Sequence, residues 1–203
     1  MSDKDEYVDK LIDEYQKACY DKLIRFAEDL KDDAPTAAVC EEELSPDAAA
    51  AFLTEHLANK RFSCGQQFLD LSEFLFDDSS DSERYVLHIT SDYRLEKNGE
   101  PVFTRSEIIK DSEHDANYVS FTKDFIRLSF RLTDECITAE KAGFADGSTL
   151  VIAFDKGYEL SICPAESGES WTVFKYADRG GADDEIIVCE GRKLTIRKFC
   201  SEE

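Results

Sequence analysis

The sequence predicts an α+β fold, with N-terminal helices packed on or beside a C-terminal antiparallel β-sandwich or strongly curved β-sheet. Three observations carry that expectation. Over residues 3–32 the apolar side chains recur at three- and four-residue spacing, the helical period, and a second helix is expected over about 46–59. Beyond residue 85 they alternate, the period of strands. Between the two lies Asp77-Asp78-Ser79-Ser80-Asp81-Ser82-Glu83, a polar run with no apolar residue in it, which reads as a linker or exposed loop. The expected organisation is an acidic helical region over 1–76, an acidic loop or linker over 77–84, and an antiparallel β domain over 85–203.

Residues 3–32 read as a helix because Val8, Leu11, Ile12, Tyr15, Cys19, Leu23, Phe26 and Leu30 fall on one face while acids and lysines fill the other. Ser2 or Asp3 can cap its start, and Pro35 closes it. A second helix is expected from Ser45-Pro46-Asp47, where Ser45 suits the N-cap and Pro46 the first turn, to about Asn59. The apolar segment Phe68–Phe76 fits either a helix or a strand. Strands are then expected at Tyr85–Thr90, Tyr93–Glu96, Pro101–Thr104, Phe125–Leu132, Cys136–Glu140, Thr149–Phe154, Tyr158–Ile162, Ser170–Tyr176, Glu185–Glu190 and Lys193–Phe199. Asn98-Gly99 is a hairpin turn signal, and the other short connections carry glycine. Successive strands with tight turns imply antiparallel pairing.

Charge bounds the choice of partners. Forty-five acidic residues against 24 basic ones give −21 over 203 residues, beyond what solubility asks of a small domain. Residues 1–84 hold 22 acids and 9 bases, and the remainder 23 and 15, so the N-terminal part is the more acidic per residue. Such a surface repels phosphate backbones and anionic lipid heads, so direct nucleic-acid and membrane binding are not expected. It attracts basic surfaces, and a protein that works on nucleic acid has one. The alternative is that the charge serves solubility alone.

The seven cysteines are scattered with no C-x-x-C, which argues against zinc ribbons and redox pairs and for reduced thiols. The start, Met-Ser-Asp-Lys-Asp-Glu, is acidic and lacks an apolar run, so no signal peptide is expected. No stretch of the length a membrane span needs is apolar throughout. The expected location is the cytoplasm.

Catalytic signals are absent. His56, His88 and His114 are the only histidines and show no metal-ligand spacing. Gly168-Glu169-Ser170-Trp171-Thr172 lacks the second glycine of a nucleophile elbow, and no phosphate-cradling glycine loop occurs. The acids of 77–83 lack the glycine and closing glutamate of a calcium loop. The sequence therefore assigns no catalytic, cofactor-binding or metal-ligating residue, and the protein reads as a non-enzyme. Trp171 suits either a β core or an interface anchor, with the core reading preferred.

The β region resembles a group of small bacterial proteins that have no settled activity. The resemblance covers about 85–195. It rests on Leu87-His88-Ile89, on Tyr93-Arg94-Leu95 leading to Asn98-Gly99, and on Asp146-Gly147 with Leu150, Ile152, Phe154, Gly157, Leu160 and Ile162. Glu169-Ser170-Trp171 and Ile187-Val188 with Gly191 complete it. Tyr93 stands where that pattern has Trp. The resemblance implies a compact β-rich protein similar in style to the immunity proteins that accompany secreted toxins.

The functional expectation is thus an acidic cytosolic binding protein that neutralises a basic, nucleic-acid-acting protein partner of the nuclease kind, with no cofactor. Glu41, Glu42, Glu43, Asp77, Asp78, Asp81 and Glu83 are the expected contact acids, chosen for their clustering in expected loops. A phage- or mobile-element-encoded inhibitor that mimics nucleic acid would share this signature. A small-molecule-binding β domain is the third reading, with His88, Arg94 and Trp171 lining a pocket.

Overall fold

The structure, a computed structural model, describes residues 38–68, 71–77, 84–105, 123–176 and 185–200. These residues begin with β1 (Ala38–Glu43), α1 (Pro46–Leu57), β2 (Arg61–Phe68), β3 (Leu71–Asp77) and β4 (Arg84–Ile89). The hairpin β5 (Tyr93–Lys97) and β6 (Glu100–Thr104) follows, then α2 (Lys123–Glu135) and β7 (Ala139–Ala145). Next come β8 (Thr149–Phe154), β9 (Tyr158–Ile162), β10 (Glu169–Tyr176), β11 (Glu185–Glu190) and β12 (Lys193–Cys200). One sheet has seven strands in the order β1-β12-β11-β10-β4-β3-β2; the other has five, in the order β6-β5-β9-β8-β7. Every pairing is antiparallel.

The expected α+β class is overturned: the described chain is β-rich, two antiparallel sheets with two helices. The helix expected over 3–32 lies outside the described residues. Over 38–76, part of the expected helical region, α1 is joined by strands β1, β2 and β3, the last ending at Asp77 of the expected loop. The physical reason is tertiary. The β1 sequence, AVCEEE, has no apolar period and takes its conformation by pairing with β12, from Ala38↔Cys200 to Glu43↔Thr195. In β3, Ser72, Phe74 and Phe76 point to one face and are buried, so the ambiguous segment follows a period of two. Asp77 pairs with Arg84 across the β3–β4 ladder, so strands on either side of the acidic run are neighbours in one sheet.

Phe125–Leu132 is also corrected, from strand to helix. Ile126, Leu128, Phe130 and Leu132 alternate in sequence, yet Phe125, Leu128 and Leu132 also keep helical spacing, and those three are buried. Phe130 is left exposed. β8, β9 and β11 match their expected bounds end to end, and β4, β5, β6, β10 and β12 lie within a residue of theirs; the strand expected at Cys136–Glu140 instead runs from Ala139 to Ala145. Asn98 (φ 53°) and Gly99 (φ 80°) form the expected two-residue turn, whose positive dihedrals suit these residue types.

α1 begins as the sequence predicts. The Ser45 side chain accepts from the Ala48 amide at 3.2 Å, with Pro46 in the first turn. Ala49, Leu53 and Leu57 enter the core four residues apart. Thr54 Oγ1 accepts from the Ala142 amide at 3.0 Å and donates to its carbonyl at 3.2 Å, tying α1 to β7. Aromatic rings fill the space between the sheets: Phe62 lies 4.5 Å from Phe154, 5.1 Å from Phe74 and 5.2 Å from Phe76. Each fully buried Phe contributes roughly 1.5–3 kcal/mol by burial.

Candidate functional site

Cross-strand register arranges the outer face of the seven-stranded sheet, the one turned from the aromatic core, into rows. Directly opposed residues share a face. One row runs Leu75, Val86, Phe174, Ile186, Arg197 and Glu41. The next runs Glu73, His88, Thr172, Val188, Thr195 and Glu43.

The second row brings the most chemistry together. His88 Nε2 lies 3.1 Å from Glu73 Oε2, both side chains partly exposed. The Phe174 ring meets the imidazole edge-on at 4.9 Å. A Cβ at Gly65 would overlap the Glu73 side chain, so glycine there leaves the carboxylate its place. Thr172 Oγ1, beside His88 in the row, is buried and has no hydrogen-bond partner. A hydroxyl, an imidazole and a carboxylate thus stand side by side on three strands. They have the residue types of a nucleophile relay without its geometry, because the hydroxyl makes no bond to the imidazole and is closed off from solvent.

The expected contact acids separate. Glu41, Glu42 and Glu43 are exposed, as a contact role requires, but they sit on strand β1 and not in a loop. Glu41 is held by Arg197 Nε at 2.6 Å, and the same guanidinium binds Glu190 at 2.8 Å. Asp77 ends β3, 3.8 Å from Arg84. Asp78, Asp81 and Glu83 lie outside the described residues, as does His114.

The three residues of the small-molecule reading do not converge. His88 is on the outer face of the seven-stranded sheet. Trp171 is fully buried in the core, 6.3 Å from Phe144. Arg94 is exposed on the other sheet, paired with Glu96 at 3.1 Å. Among the described residues no group of His, Cys, Asp and Glu is placed to hold a metal ion, and no helix is long and apolar enough to cross a membrane.

A second polar cluster had no sequence signal. Glu135, at the end of α2, accepts from Lys97 at 2.5 Å, from Tyr158 at 2.8 Å and from Arg131 at 3.2 Å. The bond from Lys97, then that from Tyr158, pulls its carboxyl down to about 2. Its partners come from β5, β9 and its own helix, which only the fold unites. His56 likewise meets Tyr85, its Nδ1 3.0 Å from the phenol oxygen. The buried thiols are held protonated: burial pushes Cys64 far up and Cys189 to about 11.

Comparison with known family models, with curated proteins and with solved structures finds no match for the chain.

Proposed function

We propose that this chain is a binding protein that captures a basic protein partner acting on nucleic acid, in the manner of an immunity protein that neutralises a nuclease-like toxin. The observation that carries the reading is the net charge: 45 acidic residues against 24 basic ones give −21, beyond what solubility asks of a small domain. Such an excess suits attraction of a basic face. Exposed Glu42 and Glu43 on β1 contribute to it. Bound over a basic substrate cleft, the acids would exclude nucleic acid by sterics and by charge.

The test is capture from a native-host lysate on the immobilised full chain, with low- and then high-salt elution and mass spectrometry. The expected result is a basic protein released at high salt whose nuclease activity is blocked by one equivalent of the chain. Its association rate should fall at least about tenfold between 50 and 500 mM salt. A salt-independent rate, or a captured protein whose activity is unaffected, would sink the reading.

A further inference from the structure

The last strand on each side of a β-sheet turns half of its N–H and C=O groups outward, and each such edge can receive another strand. Among the described residues the two sheets have four edges, β1 and β2 in one and β6 and β7 in the other. Three are obstructed. β2 begins against the chain that leads into β7: the Phe62 amide donates to the Ile137 carbonyl at 2.9 Å, and the Ala139 amide to the Lys60 carbonyl at 3.0 Å. Its later part is irregular between Cys64 and Gln67. β6 contains Pro101, which has no N–H to give. In β7 the Thr54 hydroxyl engages both the N–H and the C=O of Ala142.

β1 has none of these obstructions. The Leu44 amide donates to the Leu194 carbonyl at 2.9 Å, and the register carries the same pairing on to Glu42↔Ile196 and Cys40↔Lys198. Hydrogen-bonded pairs alternate along an antiparallel ladder, so the N–H and C=O groups of Glu41 and Glu43 turn away from β12. Among the described residues no strand lies on that side. The side chains at this edge, Glu41, Glu42 and Glu43, are acidic and exposed. Two copies of the chain paired through it would set glutamate against glutamate, which is unfavourable. Lysines and arginines on an incoming strand would instead meet opposite charge on both faces, because Glu42 shares the face of Ile196 while Glu41 and Glu43 share that of Arg197 and Thr195.

We infer that β1 takes up a basic strand of the partner as a further strand of the seven-stranded sheet. The backbone of Glu41 and Glu43 supplies the hydrogen bonds, and the three glutamates select the charge. The inference deepens the capture of a basic protein and rests on that reading for the class of partner, but the edge can be tested without the partner.

The probe is a short synthetic peptide of three lysines flanked by valines, added to the full chain. Its control is the same peptide N-methylated at every residue, which keeps the charge and removes every donor. Amide hydrogen exchange by NMR should show the Glu41 and Glu43 amides slowed at least about tenfold by the first peptide and unchanged by the second. Glu42→Lys and Glu43→Lys together should weaken the first peptide at least about tenfold, with the emission of buried Trp171 unchanged as the sign of an intact fold. If that variant loses the Trp171 signal, the two peptides on the unaltered chain decide alone. Equal binding of the two peptides, undiminished binding by the folded variant, or Glu41 and Glu43 amides already as protected as that of Leu44 in the free chain overturns the inference. Slowed amides with no basic protein captured from lysate would uphold the edge and sink the reading above. A captured basic protein that leaves both amides unprotected removes the edge and keeps the reading.

Discussion

Trp171 and Thr172 are consecutive on β10 and look in opposite directions. Trp171 enters the aromatic space between the sheets, and Thr172 lies in the outer row beside His88. Each carries a buried polar atom without a partner, the indole Nε1 and the hydroxyl Oγ1. The difference is what surrounds them. A large ring in an aromatic core gains enough from burial to outweigh one orphaned N–H, whereas a threonine has one methyl to set against its hydroxyl. The inner face is therefore held by aromatic packing, while the outer face tolerates polar groups that contribute little to stability.

The largest test of that contrast is Phe62→Ala. Phe62 touches Phe74, Phe76 and Phe154 at centroid distances of 4.5–5.2 Å, so it links β2 and β3 to β8 across the core. Truncation should destabilise by about 3–5 kcal/mol in denaturant titration. A loss below about 1 kcal/mol would mean that the sheets do not share this core, and the contrast between the faces would collapse.

Thr172→Val sharpens the contrast from the other side. The shapes match, and the substitution removes a buried hydroxyl that has no bond to lose. Stability should rise by about 1 kcal/mol, an increase of about 2–4 °C in Tm. A fall would mean that an ordered water satisfies the hydroxyl.

What could be read from sequence follows the same division. Strands that alternate and end in glycine turns, such as β8 and β9, were legible because local pattern and tertiary environment agree. The α1 start was legible because Ser45 and Pro46 act through neighbouring backbone. β1 was not, since AVCEEE becomes a strand only by pairing with β12, more than 150 residues further along the chain. α2 was misread because FIRLSFRL satisfies both periods, and only packing against β2 decides between them. Of the expected contact acids, Glu41, Glu42 and Glu43 were chosen as loop residues and are exposed, but they lie on β1. The pairing of Glu41 with Arg197 and the Glu73–His88 row were not legible, because register between distant strands leaves no local mark.

The smallest expected effect concerns the end of α2. Its last residues, Asp134 and Glu135, are acidic where the helix dipole favours cations, and the last turn has no basic residue. Other elements supply the missing charge. Lys97 binds the Glu135 carboxylate from β5, and Lys156, in the turn between β8 and β9, donates to the Glu135 and Cys136 carbonyls. The Glu135 carboxyl titrates at about 2 in the fold against an ordinary 4.5. A lowered folded value means that the contribution is complete above the ordinary value and is lost as pH falls from about 4.5 towards 2. Glu135→Gln should therefore be less stable than the parent at pH 6, by under about 1 kcal/mol because the cluster is partly open to solvent. The gap should shrink to a small remainder at pH 2.5, where the unfolded carboxyl is already protonated and folding must displace its proton to form the ionic contacts. Denaturant midpoints of both proteins at the two pH values measure it. A gap that persists unchanged at pH 2.5 would assign the effect of Glu135 to packing and remove the ionic tie between α2 and the five-stranded sheet.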